Sequence, residues 1–415
     1  MVRRLPTAPI VTIGGQPVTN LAVNLNADYI LQGLFLELPN GTPGPADIVV
    51  TSNTGTSTLK GGITYIPFAA VIPASGLLQL IYDTHRNLLY ALQSTQIQVF
   101  DPVSLKWTNT LRPAGSVGMG YIAMAITPDG SQLLVLDGQA NTLSVFNPDD
   151  PSQSTSTALP SGISGGHNIA TTSTGKAFIG GTHPDLEFNI ATHTFKLLSS
   201  NTTALLRMFV ATADGTHMAA VSTDNSGGTV AVWHSSNDSF TTQGFSLPLG
   251  TVWTDLAISP DGKVVAPLAT SHGAGVGVGF FDEQLHFTNW NVYPDLAAPD
   301  LPPTQGGIFS NSGLTLLTPL VDSIDFFNTQ TGTLRSRLLM PSLLLRGGFG
   351  TPGVVALDPN QQTIYAISSS GLAVVTLPTM VDQITPPAWP YVAKPAPSAP
   401  MFSGRKAGAL QLLKF

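Results

Sequence analysis

The chain has 415 residues and a formal net charge of −7, and only 10 % of its residues are charged. So few Lys and Arg residues leave no basic surface for phosphate contacts, which excludes nucleic acid as a partner. The absence of cysteine excludes disulfides, thiolate metal ligands and cysteine nucleophiles. No apolar run reaches the ~18 residues of a membrane-spanning helix, and the 41 Gly and 33 Pro with scarce Lys and Glu favour an all-β fold.

The first 67 residues alternate in short stretches that predict β-strands separated by Gly- and Pro-rich turns. The stretches VTIGGQPVTN (11–20), GTPGPADIVVTSNTG (41–55) and GGITYIP (61–67) resemble the later part of an IPT/TIG domain. This resemblance implies a partial immunoglobulin-like β-sandwich over residues 1–67 and a place outside the cell or on its surface. The opening strands of such a domain have no room before Pro9. Either the domain is short or the gene starts further upstream. We expect the second, and an export signal would then also lie upstream.

From about residue 77 the sequence repeats a packet of short strands. The best copy, IAMAITPDGSQLLVLDGQANTLSVFNP (122–148), reads as three strands with an Asp-Gly turn between the first two. Equivalent turns recur about 40 to 51 residues apart, which is near the period of four-stranded propeller blades. They lie at residues 85–87, 129–130, 174–175, 214–215, 261–262, 312–313 and 360–361. A small sheet cannot bury both its faces alone, so a radial arrangement in which neighbouring sheets cover one another is predicted.

The repeat resembles the YVTN/WD40-like seven-bladed β-propeller family of bacteria. The matching stretches are ITPDGSQLLVL…LSVFNP (126–148), NLLYALQSTQIQVFDPVSLKWTNTL (87–111) and ALDPNQQTIYAIS (356–368). The predicted fold is thus all-β, a seven-bladed propeller of four-stranded antiparallel blades preceded by the partial Ig-like sandwich. A resemblance of this kind implies a fold and says little of function.

Three domains are predicted: the Ig-like part over residues 1–67, the propeller over residues 68–380, and a Pro-rich tail over residues 381–415. The last repeat shows three strands, and its outer strand could come from residues 63–72 or from residues 409–415. The N-terminal origin is preferred because it lies closer in sequence to the ring.

Motifs for catalysis, metals and cofactors are missing from the sequence. It contains no Walker phosphate loop, G-x-S-x-G or H-E-x-x-H. The run GAGVGVG (273–279) leads into a predicted strand, whereas a dinucleotide loop leads into a helix. No cofactor, metal ligand or catalytic residue is assigned.

One set of residues could bind a polar ligand. In a propeller, the residues before each innermost strand converge on the mouth of the central channel. The predicted ligand-binding residues at this mouth are Tyr121, His167, Arg207, Trp253, Asp255, Gln305 and Arg346. The alternative is that they close the channel and hydrogen-bond one another or water.

Two functions follow from these observations. The favoured one is a non-enzymatic binding or scaffold protein, a monomer whose propeller face holds an unknown protein or polysaccharide partner. The alternative is a hydrolase of the lactonase type, since similar propellers include lactonases. It would need an acid/base pair at the channel mouth, for which His167 and Asp255 are the candidates.

Overall fold

The structure is a computed structural model. It describes residues 9–25, 31–37, 39–53, 55–114, 120–163, 166–181, 184–198, 208–224, 227–245, 251–271, 275–292, 306–320, 323–344, 353–384 and 411–413.

Among the described residues the fold is all-β apart from one short 3-10 helix, Val381–Gln383. Neighbouring strands pair antiparallel and form eight hydrogen-bonded sheets: six of four strands, one of nine and one of two. The strands before the repeat are β1 (Ile10–Ile13), β2 (Gln16–Pro17), β3 (Thr19–Leu25), β4 (Leu31–Glu37), β5 (Gly44–Ser52), β6 (Gly55–Tyr65) and β7 (Phe68–Pro73).

The repeat folds into four-stranded units, which we number in chain order. Unit 1 is β8 (Leu77–Asp83), β9 (Leu88–Gln93), β10 (Ile97–Asp101) and β11 (Lys106–Leu111); unit 2 is β12 (Tyr121–Ile126), β13 (Leu133–Asp137), β14 (Thr142–Asn147) and β15 (Asp150–Ala158). Unit 3 is β16 (Asn168–Thr171), β17 (Lys176–Gly180), β18 (Leu186–Asn189) and β19 (Thr194–Leu197); unit 4 is β20 (Met208–Ala211), β21 (His217–Asp224), β22 (Gly227–His234) and β23 (Ser239–Phe245). Unit 5 is β24 (Thr251–Ile258), β25 (Val265–Ser271), β26 (Gly275–Phe281) and β27 (Phe287–Val292). Unit 6 is β28 (Ile308–Phe309), β29 (Thr315–Pro319), β30 (Ser323–Asn328) and β31 (Leu334–Leu339); unit 7 is β32 (Val355–Leu357), β33 (Thr363–Ser368) and β34 (Gly371–Thr376), completed by β7.

Unit 7 takes its outer strand from the N-terminal side of the repeat. Strand β7 pairs with β34 in one continuous register, from Thr376↔Phe68 to Gly371↔Pro73. The preferred N-terminal origin of this strand is therefore confirmed. The C-terminal strand β35 (Gln411–Leu413) lies elsewhere, between β31 of unit 6 and β6.

The first strands of successive units follow one another around a ring. Contacts join β8 to β12, β12 to β16, β16 to β20, β20 to β24, and β24 to β28. Gly306, just before β28, lies against Val354, just before β32, and β32 contacts β8. The N-terminal ends of these first strands thus lie at the same end of the ring.

The hydrophobic core lies between the units. One cluster packs Leu136 and Val145 of unit 2 against Ile179 and Phe188 of unit 3, and equivalent clusters lie between the other neighbouring units. The middle strands are buried on both faces, as in β13, where all five residues are buried. The outer strands are mostly exposed, so the sheets cover one another as the repeat predicted.

The Asp-Gly turns are stabilised by local hydrogen bonds and by a glycine with a left-handed backbone. In unit 2 the Thr127 hydroxyl donates to the Asp129 carboxylate at 2.6 Å and the Gly130 N–H donates to the Thr127 carbonyl at 2.8 Å. Gly130 has φ 69°, a left-handed value that glycine adopts without strain. Its Cβ position would also lie 2.6 Å from the His85 ring of unit 1, so a larger residue would clash.

Ion pairs join neighbouring units at this turn end of the ring. Arg86 of unit 1 donates to both carboxylate oxygens of Asp149 in unit 2 (2.7 and 2.6 Å) and to the buried Asp83 at 2.8 Å. In the same way Lys176 of unit 3 reaches Asp238 in unit 4.

The strands before β7 form one extended sheet and one hairpin. Strands β2, β1, β5 and β6 lie side by side and continue through β35 into β31. Among the described strands, β3 and β4 pair only with each other. The Ig-like sandwich over residues 1–67 stays a prediction.

Candidate functional site

The predicted mouth residues fall into three groups. Arg207, Gln305 and Arg346 lie outside the described residues. For Trp253 the backbone is described, on β24 opposite Ala269. The structure describes the side chains of Tyr121, His167 and Asp255 in units 2, 3 and 5. Tyr121 begins β12, His167 directly precedes β16, and Asp255 is the fifth of the eight residues of β24.

Tyr121 lies inside the protein. Its side chain is 1 % exposed and belongs to the apolar cluster between units 1 and 2, with Tyr90 and Phe146. Its backbone N–H donates to the Ser94 carbonyl of unit 1 at 2.9 Å. This placement favours a packing role for the ring.

His167 is exposed directly before β16. Its backbone N–H donates to the Gly180 carbonyl at 2.9 Å, which fixes the backbone at the end of the strand. The imidazole is thus held at the surface on a rigid element, where it can contact a ligand.

Asp255 lies in the interior, between units 5 and 6. Its carboxylate accepts the N–H of Leu256 at 2.7 Å, the N–H of Gly307 at 3.0 Å and the N–H of Gly306. The residue is 1 % exposed. Burial raises the pKa of Asp255 to about 7 from its usual 3.8, because the charged form loses water, and the backbone donors partly offset this effect.

Asp255 occupies a position that carries a polar residue in three alternate units. Gln79, Asn168 and Asp255 each lie four residues before the residue that opens the turn of their unit, namely Asp83, Thr172 and Ser259. Each is buried on the first strand and hydrogen-bonds the backbone of the next unit. The shared role is to join the first strands of units 1 and 2, units 3 and 4, and units 5 and 6.

The three residues differ in how many hydrogen bonds they make to the next unit. The Gln79 amide is bidentate to Met124, accepting its N–H at 2.8 Å and donating to its carbonyl at 3.0 Å. Asn168 is one methylene shorter; its Oδ1 accepts the Phe209 N–H at 2.6 Å, while its Nδ2 has no partner among the described residues. One oxygen of Asp255 accepts two successive N–H groups, those of Gly306 and Gly307.

This geometry limits what Asp255 can do chemically. A general base must lie within hydrogen-bond reach of the proton that it abstracts, and Asp255 is only 1 % exposed. Both Asp255 oxygens are already hydrogen-bonded to backbone N–H groups in the interior. The described residues hold no group of three or more His, Asp or Glu side chains that could bind a metal ion.

Sequence reasoning missed Asn168 as a joint residue. Its polarity on an otherwise apolar inner strand, four residues before the turn, is the signal that could have identified it. The partner could not be identified in this way, since Phe209 lies 41 residues away along the chain.

The described part of the chain contains no helix long and apolar enough to cross a membrane. No protein-family model matches the sequence, and no curated protein matches it.

The structure is similar to 1108 solved chains. One is the β-propeller domain of Cps50 (Swd1) from Myceliophteria thermophila, with a TM-score of 0.56, 13 % identity and coverage of 76 % of this chain and 99 % of that chain. Another is the hydrazine synthase of Kuenenia stuttgartiensis, with a TM-score of 0.57, 14 % identity and coverage of 74 % of this chain and 98 % of that chain. At such identities the likeness shows the fold alone. The protein is an all-β protein with a β-propeller fold.

Proposed function

We propose that the protein is a non-enzymatic binding or scaffold protein whose propeller presents a rigid face to a protein or polysaccharide partner. The observation that carries this proposal is the state of Asp255, whose oxygens bind backbone N–H groups between units 5 and 6. A group used in this way joins strands and is not free to move protons for a substrate. The inter-unit hydrogen bonds made by Gln79 and Asn168 serve the same rigidity.

The proposal extends to the class of propeller. We count seven blades, from six four-stranded sheets and the four-stranded run β28–β31 within the nine-stranded sheet. The YVTN-like turn and strand sequences and the IPT/TIG-like residues 1–67 support a bacterial protein of the cell surface or exterior. On this basis residues 68–380 are the propeller and residues 381–415 a tail.

The binding face is the end of the ring that carries His167. This imidazole is exposed. The predicted partners Arg207, Gln305 and Arg346 precede other first strands in the sequence, and Trp253 is the third residue of β24. Cationic and aromatic groups together suit a neutral or anionic polar ligand, because they offer hydrogen-bond donors and stacking surfaces.

One observation favours the lactonase-type alternative. A carboxyl whose pKa is about 7 has the acid strength of an acid/base catalyst at neutral pH. The alternative requires Asp255 to exchange its backbone partners for a substrate and to act with His167.

A thermal-shift screen tests both functions on the purified full chain, with sugars, peptidoglycan fragments and sugar lactones as probes. A ligand that binds only the folded state raises its stability, by about 2.7 kcal/mol at 100 times Kd. We expect a shift with a saccharide or peptidoglycan fragment that His167→Ala abolishes. The control His286→Ala, at an imidazole that is 73 % exposed on the turn before β27, should leave the shift unchanged.

Hydrolysis of the lactones is followed in parallel with a pH indicator. The binding proposal expects no hydrolysis above the blank. Lactone hydrolysis that both His167→Ala and Asp255→Asn remove would contradict it and establish the alternative.

A further inference from the structure

The outer strands of the units are sheet edges. Strands β11, β15, β19, β23 and β27 each end their sheet, so one row of backbone N–H and C=O groups on each strand lacks a strand partner among the described residues. Such edges can pair with another chain, and proteins protect them with charged residues, prolines and bulges. The outer strands of this protein differ in that protection.

Most of the outer strands carry one of these devices. In units 1, 2, 5 and 6 the pairing between the third strand and the outer strand shifts register, which marks a β-bulge. Strand β19 has only four residues and includes Lys196, and β31 is covered by β35. Strand β7 is half-buried along most of its length and ends on Pro73.

Strand β23 carries none of them. It pairs with β22 over seven residues without a register shift, from His234↔Ser239 to Gly228↔Phe245. Its sequence SFTTQGF contains no charged residue and no proline. Ser239 and residues 241–244 are exposed. The nearest charge, Asp238 in the preceding turn, is paired with Lys176.

We propose that β23 pairs antiparallel with β23 of a second copy of this chain, which forms a two-fold symmetric dimer through the edge of unit 4. Two-fold dimers use the same surface on both partners, so the strand must complement itself. Centred on Thr242, the pair places Thr241 opposite Gln243 and Phe240 opposite Gly244. No charges oppose each other, and an aromatic residue opposite an edge glycine is a favourable cross-strand pair.

Two of the other edges, β15 and β19, are less suited to pairing with themselves. A two-fold pair centred on Lys196 of β19 would oppose two ammonium groups, and Pro151 in β15 lacks the N–H that a ladder needs. That a unit of this fold can accept an added strand is seen at β31, which pairs with β35. The proposal differs from the monomer expected from the sequence. One short strand pair buries less than a standard interface, so the dimer should be weak and concentration-dependent.

The mass of the full chain in solution tests the dimer by sedimentation between about 1 and about 200 µM, the range of a weak interface. We expect the weight-average mass to rise towards that of a dimer with concentration. Thr242→Lys, at an exposed position, should keep the protein monomeric and folded because it opposes two ammonium groups at the two-fold axis. Thr155→Lys, on the exposed edge β15, is the matched control and should dimerise as the wild type does.

The chain has no cysteine, which allows a second test. Thr242→Cys places two thiols opposite each other across the two-fold axis, at a Cβ separation of about 4.5–5.5 Å that small shifts bring into disulfide range. We expect it to oxidise to a covalent dimer at least about tenfold faster than Thr155→Cys, because the thiols are held together. Equal oxidation rates, a monomer at every concentration, or a dimer that Thr242→Lys leaves intact would overturn the proposal. A monomer whose β23 edge instead binds an added peptide of another sequence would also overturn it.

Discussion

At the scale of single residues, the inner strands are joined by side chains that imitate backbone. The Gln79 amide offers Met124 one acceptor and one donor, as a neighbouring strand would. Asn168 offers Phe209 only an acceptor. The two residues occupy equivalent positions, so the difference in their hydrogen bonds should appear in stability.

We predict that Gln79→Ala destabilises the protein by about 2–4 kcal/mol and Asn168→Ala by about 1–3 kcal/mol, since the first leaves two buried backbone groups unpaired and the second leaves one. Midpoints of urea unfolding, followed by tryptophan fluorescence, measure both. Gln93→Ala, at a less buried glutamine on β9 whose amide donates to the Ser75 carbonyl, should cost only about 0.5–1.5 kcal/mol. Equal losses of unfolding free energy for all three variants would show that the hydrogen bonds of Gln79 and Asn168 between units do not stabilise the protein.

Asp255 should make stability depend on pH. Its pKa is about 7 in the folded protein against 3.8 for an ordinary aspartate, so folding takes up a proton between these values. The stabilisation is complete below about pH 3.8 and is lost as the pH rises through about 7. We expect Asp255→Asn to flatten the stability profile in this window, as measured by thermal unfolding from pH 4 to pH 8.

Asp101 supplies a control of opposite sign. A hydrogen bond from the Ser104 hydroxyl, followed by that from the Val103 N–H, lowers the pKa of this exposed carboxyl. Its contribution is therefore present at neutral pH and lost as the pH falls. Asp101→Asn should change the acid side of the profile and leave the slope between pH 5 and pH 7 as in the wild type. A wild-type slope in the Asp255→Asn variant would contradict the raised pKa.

At the scale of elements, neighbouring units are joined by ion pairs between one unit's strands and turns and the next unit's outer turn. Arg86 has two partners of different burial, since the Asp83 side chain is 0 % exposed and the Asp149 side chain is 64 % exposed. Tyr90 also donates to Asp83, at 3.1 Å. The buried partner should dominate the energetics.

We predict that Arg86→Met destabilises the protein by about 2–4 kcal/mol because it leaves Asp83 buried without its cation. Asp149→Asn should cost less than about 1 kcal/mol and lose its effect at high salt, since this pair is exposed. Urea unfolding at low and high salt compares the two variants with Lys263→Ala, which removes an exposed pair with Asp261. Equal losses for Arg86→Met and Asp149→Asn would contradict the dominant role of Asp83.

Turns and strands could be predicted from the sequence because their causes are local. The Asp129-Gly130 turn depends on residues within five positions of one another, and the alternation of the strands depends on neighbours. The joint residues could not be predicted, since Gln79 and Asp255 bind backbone groups 45 and 52 residues away. For the same reason Tyr121 was predicted at the channel mouth, whereas its ring is buried between units.

At the scale of the whole molecule, the chain closes its ring with strand β7 from before the repeat. A chain that starts at Phe68 keeps this strand and should unfold at nearly the wild-type midpoint if residues 68–380 form the propeller. A chain that starts at Leu77 loses the six residue pairs between β7 and β34. We expect it to lose about 3–6 kcal/mol, at roughly 0.5–1 kcal/mol for each pair.

Circular dichroism and thermal unfolding of the two shortened chains measure this difference. Proteolysis should cut the β32–β34 segment first in the chain that starts at Leu77, because β34 then has a free edge. Equal stability of the two chains would show that the pairing of β7 with β34 does not stabilise the protein. Loss of folding in both would place the boundary of the propeller before residue 68.

The position of β7 also sets an order for events on the ribosome. Roughly 300 residues separate it from β34, so at about 5–20 residues per second its partner emerges some 15 to 60 seconds later. During that interval the apolar strand FAAVIP lacks its partner β34, and units 1 to 6 can fold before the ring is closed. Unit 7 is therefore completed only after β34 has been synthesised, and a chain that stalls before β34 would expose an apolar strand that chaperones and proteases recognise.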